Sequence, residues 1–158
     1  YKRQWDEDVW VGGGAIFSLY NTITTVSSKF TNNTSLWAGG AIASLESIYS
    51  YSSTYTGNRA YAGGGALYQD DNYLYLYEGN VLKRNYSIGG GGFWAYNVYV
   101  DAVNIFSGNV SSWTNEDGAR ADGGYGYGCS EIDLPPAIAG YWDIEGFHNG
   151  SQTIYAGC

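Results

Sequence analysis

Gly63-Gly64-Gly65-Ala66-Leu67 has three counterparts along the chain: Gly12-Gly13-Gly14-Ala15-Ile16, Gly39-Gly40-Ala41-Ile42 and Gly89-Gly90-Gly91-Gly92-Phe93. Their last residues, Ile16, Ile42, Leu67 and Phe93, are separated by 26, 25 and 26 positions. A second pattern alternates with the first, an aromatic residue, two others, then Asn. It reads Phe30-Thr31-Asn32-Asn33, Tyr55-Thr56-Gly57-Asn58, Tyr77-Glu78-Gly79-Asn80 and Phe106-Ser107-Gly108-Asn109. Two motifs alternating at near-constant spacing define a structural repeat of about 25 residues.

That period restricts the architecture. Helical repeats need roughly 33 residues or more, and propeller blades roughly 40. The repeat is also dominated by Gly, Tyr, Ser, Thr, Asn and Val, which are weak helix formers. About 25 residues do supply three short strands and three turns, stacking coil upon coil at about 4.8 Å. Tyr73-Leu74-Tyr75-Leu76-Tyr77 alternates as a half-buried strand does, with both leucines on one face. Asn97 to Ile105 alternates similarly, with Val98 and Val100 in phase. The expected fold is therefore all-β, a single-stranded parallel β-helix (β-solenoid) of about four to five coils with atypical end caps.

In that register the glycines become corner residues. Gly13, Gly14, Gly39, Gly40, Gly64, Gly65, Gly90 and Gly91 fall where the chain bends tightly and coils pack too closely for a Cβ. Asn33, Asn58, Asn80 and Asn109 are assigned to one repeated turn, placed at an exposed position, where an Asn side chain bonds nearby backbone. A phosphate-binding loop is a poor alternative, since no Gly run leads into Lys-Ser/Thr or a helical segment.

The pairing of Gly-Gly-Ala-Ile/Leu with Phe-x-x-Asn resembles the repeat of the chlamydial polymorphic outer-membrane proteins, over about residues 11–109. The match is carried by Gly39-Gly40-Ala41-Ile42, Phe30 to Asn33 and Phe106 to Asn109. Tyr55 and Tyr77 replace the Phe, and Gly92-Phe93 replaces Ala-Ile in the fourth copy. The resemblance implies a right-handed parallel β-helix and an extracellular, adhesin-like or structural role at a cell surface.

Composition agrees with a folded, surface-rich protein. The chain has 158 residues, 24 of them Gly and 28 aromatic (17 Tyr, 6 Trp, 5 Phe). An apolar fraction of 44% excludes disorder, and the near absence of Pro excludes collagen. No apolar run approaches the 18 residues or so of a membrane-spanning helix. A net charge of −8 disfavours nucleic acid as a partner. The start Tyr1-Lys2-Arg3, without Met or an apolar leader, leads us to expect a processed chain or a section of a longer one.

Three regions are expected. Residues 1–10 form an N-terminal cap or an inter-subunit arm, 11–114 the β-helix repeats, and 115–158 a terminal coil with a disulfide-closed cap. Cys129 and Cys158, bridged to each other, would close a loop of about 30 residues worth ~3–4 kcal/mol; a bridge between chains is the alternative.

Catalytic chemistry finds little support. Parallel β-helix enzymes gather acids with Lys, Arg or His on one strand face. Here the candidates, Glu46, Asp70, Asp71 and Asp101, are read as solvated turn acids. His148 lies in the irregular tail, the lysines and arginines are scattered in sequence, and no spacing enforces a metal site at Asp6-Glu7-Asp8 or Asp70-Asp71. No cofactor and no enzymatic activity are expected.

Sequons occur at Asn32, Asn33, Asn85, Asn109 and Asn149, which makes N-linked glycans expected partners. Outward tyrosines on stacked coils should form ladders, suited to sugar stacking or to burial against protein. Since the open ends of a solenoid join without closing into a ring, the leading expectation is a secreted or cell-surface structural glycoprotein. It would associate with copies of itself head-to-tail into a fibre or coat. A carbohydrate-binding or adhesin module comes second, and a polysaccharide-degrading enzyme third.

Overall fold

A computed structural model describes residues 12–101 and 103–112 in full, together with the strands at 124–126, 142–143, 146–149 and 152–156. The described chain winds through four turns of a parallel β-solenoid. The first turn holds β1 (Ile16–Ser18), β2 (Ile23–Val26), β3 (Lys29–Thr31) and β4 (Thr34–Ser35), and the second β5 (Ile42–Ser44), β6 (Ile48–Tyr51), β7 (Thr54–Thr56) and β8 (Arg59–Ala60). In the third, one long strand β9 (Leu67–Tyr77) replaces the first pair, followed by β10 (Val81–Lys83) and β11 (Tyr86–Ser87). The fourth repeats this with β12 (Phe93–Val100), β13 (Ile105–Ser107) and β14 (Val110–Ser111).

Each strand pairs in parallel with its equivalent one turn away, giving three sheets. The wide sheet A contains β1, β2, β5, β6, β9 and β12; sheet B is β3-β7-β10-β13, and sheet C is β4-β8-β11-β14. The expected three strands per coil hold where β9 and β12 run on unbroken; the first two turns bend once more, between β1 and β2 and between β5 and β6. Beyond the fourth turn, β15 (Gly124–Gly126) pairs parallel with β12, and β18 (Gln152–Ala156) pairs parallel with β15. Then β17 (Gly146–Asn149) and β16 (Trp142–Asp143) add antiparallel strands.

The anchor residues stack as spaced: Ile16, Ile42, Leu67 and Phe93 stand in register across four strands. Each of the paired glycines also aligns. Gly13, Gly39, Gly64 and Gly90 all have φ between 59° and 68°, the left-handed region that glycine enters without a Cβ clash. A Cβ on Gly64 would strike the Leu67 carbonyl, and one on Gly65 the Gly91 carbonyl of the next turn. The corner thus needs glycine twice, for backbone conformation and for close approach between turns.

Inside, like residues pile on like. Ile42, Leu67 and Phe93 form one column, Ile48, Leu74 and Val98 a second, and Tyr55, Leu82 and Phe106 a third, all buried. Leu74 and Leu76 face inward while the tyrosines between them face out. The column beneath sheet C is small, formed by buried Ser35, Ala60, Ser87 and Ser111, and Ser87 Oγ donates to the Gly89 and Gly90 carbonyls of the glycine corner.

One repeat assignment changes. Tyr77 and Asn80 do not occupy the Phe30/Asn33 slot; Leu82 and Asn85 do, since Leu82 pairs with Tyr55 and Phe106. Asn33, Asn58 and Asn109 follow their anchors by 17, 16 and 16 residues, and Asn85 follows Leu67 by 18, whereas Asn80 follows by 13. The third turn carries a bulge: Asp71 has φ 80°, and the β9–β12 register shifts between Ala95 and Asn97. An insertion there moves every later residue of that turn along the chain, so the aromatic-x-x-Asn match at Tyr77 is fortuitous.

Candidate functional site

The asparagines that repeat along the chain are buried, not exposed as expected. Asn58, Asn80, Asn85 and Asn109 are each at most 1% accessible. Both the backbone N–H and the Nδ2 of Asn33 donate to Asn58 Oδ1, at 3.0 and 2.9 Å. Asn58 donates likewise to Asn85 Oδ1, and Asn85 to Asn109 Oδ1. The remaining Nδ2 proton of Asn58, Asn85 and Asn109 goes to the carbonyl of Phe30, Tyr55 and Leu82 respectively, in the preceding turn. One asparagine per turn therefore satisfies backbone groups that a tight corner would leave unpaired.

A second ladder runs at the corner between sheets A and B. Asn80 donates through N–H and Nδ2 to Asn104 Oδ1, while Asn80 Oδ1 accepts from Ser53 N and from Ser50 Oγ. Ser53 Oγ accepts in turn from Ser28 N. Asn80 thus belongs to a repeated turn, but to this one. The Tyr55 hydroxyl lies 2.8 Å from both Thr25 Oγ1 and Ser50 Oγ, closing a buried polar cluster. No buried side-chain polar atom among the described residues lacks a partner. Burial pushes the Tyr55 phenol above its ordinary range.

The outer face of sheet A carries the aromatic ladder. Tyr49, Tyr75 and Tyr99 stack with ring centroids 4.4 and 4.8 Å apart and planes within 8° of parallel. Tyr73 leans on Tyr75 and Tyr99, Tyr51 meets Tyr77, and Tyr68 stacks on Trp94 at 4.9 Å. Rings stacked along the solenoid axis turn their faces to one another and their edges and hydroxyls to solvent. Such a ladder ties turns together, and it leaves little ring face for a sugar. The Tyr75 phenol is pushed up to about 12, by burial between its neighbours and then by the adjoining Tyr49. Tyr68 is raised too, by burial first and then by the Asp70 carboxylate, to which its hydroxyl donates at 3.2 Å.

The candidate acids fall at two separate places. Glu46, Asp70 and Asp71 share the bend and bulge midway across sheet A, where Glu46 Oε2 accepts from Asn72 Nδ2 at 3.0 Å. Asp101 sits at the corner with sheet B, accepting from Glu78 N and from Asn104 Nδ2. No group of three or more His, Cys, Asp or Glu placed to hold a metal occurs among the described residues. No described helix is long and apolar enough to cross a membrane.

The sequons divide by burial. Asn85 is buried with both amide protons engaged, and Asn109 is buried with its amide donating to the Leu82 carbonyl, so a glycan on either is incompatible with this fold. Asn33 is half-buried and spends an amide proton on Asn58. Asn32 is exposed on a left-handed turn of φ 55°. The side chain of Asn149, the Cys129–Cys158 pair and residues 1–10 lie outside the described residues.

Sequence reasoning missed Asn85, Asn104 and Ser53 as ladder members. Constant offset from the glycine anchors was the signal for them, obscured by the bulge.

The fold and its ladders define a parallel β-solenoid repeat protein. Residues 27–45 match the family model of the Chlamydia polymorphic membrane protein (Chlamydia_PMP) repeat. That segment runs from the Phe30-to-Asn33 turn to the Gly39-Gly40-Ala41-Ile42 corner, so the similarity spans the two motifs that build one turn. No curated protein and no solved structure matches the chain.

Proposed function

We propose that this chain is a structural solenoid displayed at a cell surface or outer membrane, right-handed like the proteins its repeat resembles, whose copies add end to end into a fibre or coat. The observation that carries the reading is the identity of the contacts at every step. Each turn donates to the asparagine oxygen of the next and meets it through the same glycine corner and strand backbone, a contact pattern that an added copy would extend. The match of residues 27–45 to a membrane-protein repeat supports surface display. Electron microscopy and sedimentation velocity across a wide concentration range test assembly: elongated particles that lengthen with concentration are expected, and monomers throughout would overturn it.

The reading assigns no catalytic role to the chain. Glu46 and Asp70 are committed to Asn72 and Tyr68, and Asp101 to its own corner. If the chain passes through a glycosylating pathway, Asn32 is the acceptor that the geometry favours, because the residue is exposed and its side-chain amide makes no hydrogen bond among the described residues. Carbohydrate binding is the second reading, and the closed stacking of the sheet A tyrosines directs it to another face.

A further inference from the structure

Lysines and arginines far apart in the sequence come together on one side of the solenoid. Lys29, Lys83, Arg84 and Arg59, the four described cations, all lie on sheets B and C or the turn between them, and all are exposed. The five acids with described side chains, Glu46, Asp70, Asp71, Glu78 and Asp101, lie on sheet A or at its corners. No acidic residue occurs in the four segments 27–38, 52–63, 79–90 and 103–112 that form the other two sheets. Lys29, Lys83 and Arg84 make no ion pair among the described residues, and Arg59 rests 4.9 Å above the Tyr86 ring.

We propose that the sheet B and C side is a binding face for an acidic polysaccharide, one bearing sulfate or carboxylate groups along an extended chain. Four observations set the ligand class. Unpaired cations supply the attraction for anions, with no acid on that side among the described residues, so the side is locally basic although the chain carries a net charge of −8. Between them, Thr31, Thr54 and Thr56 point outward from sheet B and offer hydroxyls to sugar oxygens. Tyr61, two residues beyond Arg59, is 66% exposed and stacks on no described ring, so its face is open in the way a pyranose requires. The side repeats every turn at about 4.8 Å, close to the length of one sugar unit, and Lys29 and Lys83 lie two turns apart with an offset of two residues along sheet B, so they address anionic groups about two sugar units apart on a linear chain. A polypeptide polyanion would use the cations but has no need of an open tyrosine. The face neither contains nor requires the solenoid ends, so the inference stands apart from end-to-end assembly.

The test uses the full chain at a concentration where sedimentation shows a single species, so that a failure of filament formation leaves the result readable. Binding to immobilised heparin, dextran sulfate and neutral dextran is measured over a salt series. Retention on both sulfated polymers, absent from neutral dextran and weakening as NaCl rises, is expected. Lys83→Gln/Arg84→Gln should weaken binding roughly tenfold and flatten its salt dependence, with Lys83→Glu/Arg84→Glu weaker still. Tyr61→Ala should weaken binding while leaving the salt dependence unchanged. Asp71→Asn, midway across sheet A, should leave it unaltered. All are surface changes whose folding is checked by circular dichroism. Retention of the cation variants at wild-type strength would overturn the proposal. So would an absence of binding, or competition by polyglutamate or duplex DNA as effective as that by heparin.

Discussion

Asn85 concentrates the logic of the fold in one side chain. Its Oδ1 accepts two bonds from Asn58, while its own amide reaches Asn109 and the Tyr55 carbonyl. Replacing it by Ala strands donors and an acceptor in a dry corner, at a cost of about 2–4 kcal/mol. The same change at exposed Asn32 removes no ladder bond and should cost only about 1 kcal/mol, for placing Ala in a left-handed turn; urea denaturation of the two variants distinguishes a structural ladder from a decorative one. Gly64→Ala should be at least as damaging as Asn85→Ala, because φ is +59° and the new Cβ meets the Leu67 carbonyl. The motif spacing already marked these glycines. What it could not mark was the direction of the asparagines: an Asn in a turn motif reads the same whether its amide faces water or the backbone of the next turn. Burial decided, and with it which sequons remain available.

At the scale of a strand, β9 shows inward and outward faces with different consequences. Leu74→Ala opens a cavity in a column between Ile48 and Val98 and should cost about 2–5 kcal/mol. Tyr75→Ala removes the middle ring of the outward stack, with a stacking loss of about 0.5–1.5 kcal/mol. Titration adds a pH signature to these tyrosines. The phenols of Tyr55, Tyr68 and Tyr75 are all raised in the fold, so the unfolded chain releases its protons first. Stability is therefore whole below about pH 10 and falls as the pH climbs toward 12 and beyond. Denaturation midpoints between pH 8 and 12, with tyrosinate absorbance followed in parallel, check this; a midpoint constant past pH 11 would contradict it. Alternation made the leucines and tyrosines of β9 legible in advance. The bulge at Asp71 was not, because it fits an insertion into a strand whose hydrophobic pattern continues on either side, and the third turn was consequently misaligned.

For the whole molecule, repetition makes a prediction that no single contact does. Residues 64–89 comprise one turn, from glycine corner to glycine corner. Deleting all 26 should leave a shorter solenoid with the same circular dichroism per residue and a lower urea midpoint, since turn two then stacks on turn four through equivalent positions. Removing 64–76 alone should abolish cooperative unfolding, because half a turn places each sheet over the wrong neighbour. Charge is organised at this scale as well. Lys29, Arg59, Lys83 and Arg84 look scattered in one dimension, yet winding places them on sheets B and C and the turn between them, and the acids with described side chains on sheet A and its corners.

By itself the sequence determined the all-β solenoid, its period, its glycine corners and the anchor column of Ile42, Leu67 and Phe93. These follow from short-range chemistry, the φ that only glycine tolerates and the two-residue alternation of a strand, repeated until register is unavoidable. Tertiary structure alone decided which asparagines form the ladders, which sequon stays open, that the tyrosines turn their faces to each other, and that the four described cations share a side. Each of those depends on what lies one turn above or below, about 25 residues away in sequence but under 5 Å in space, and a single bulge is enough to shift that relation.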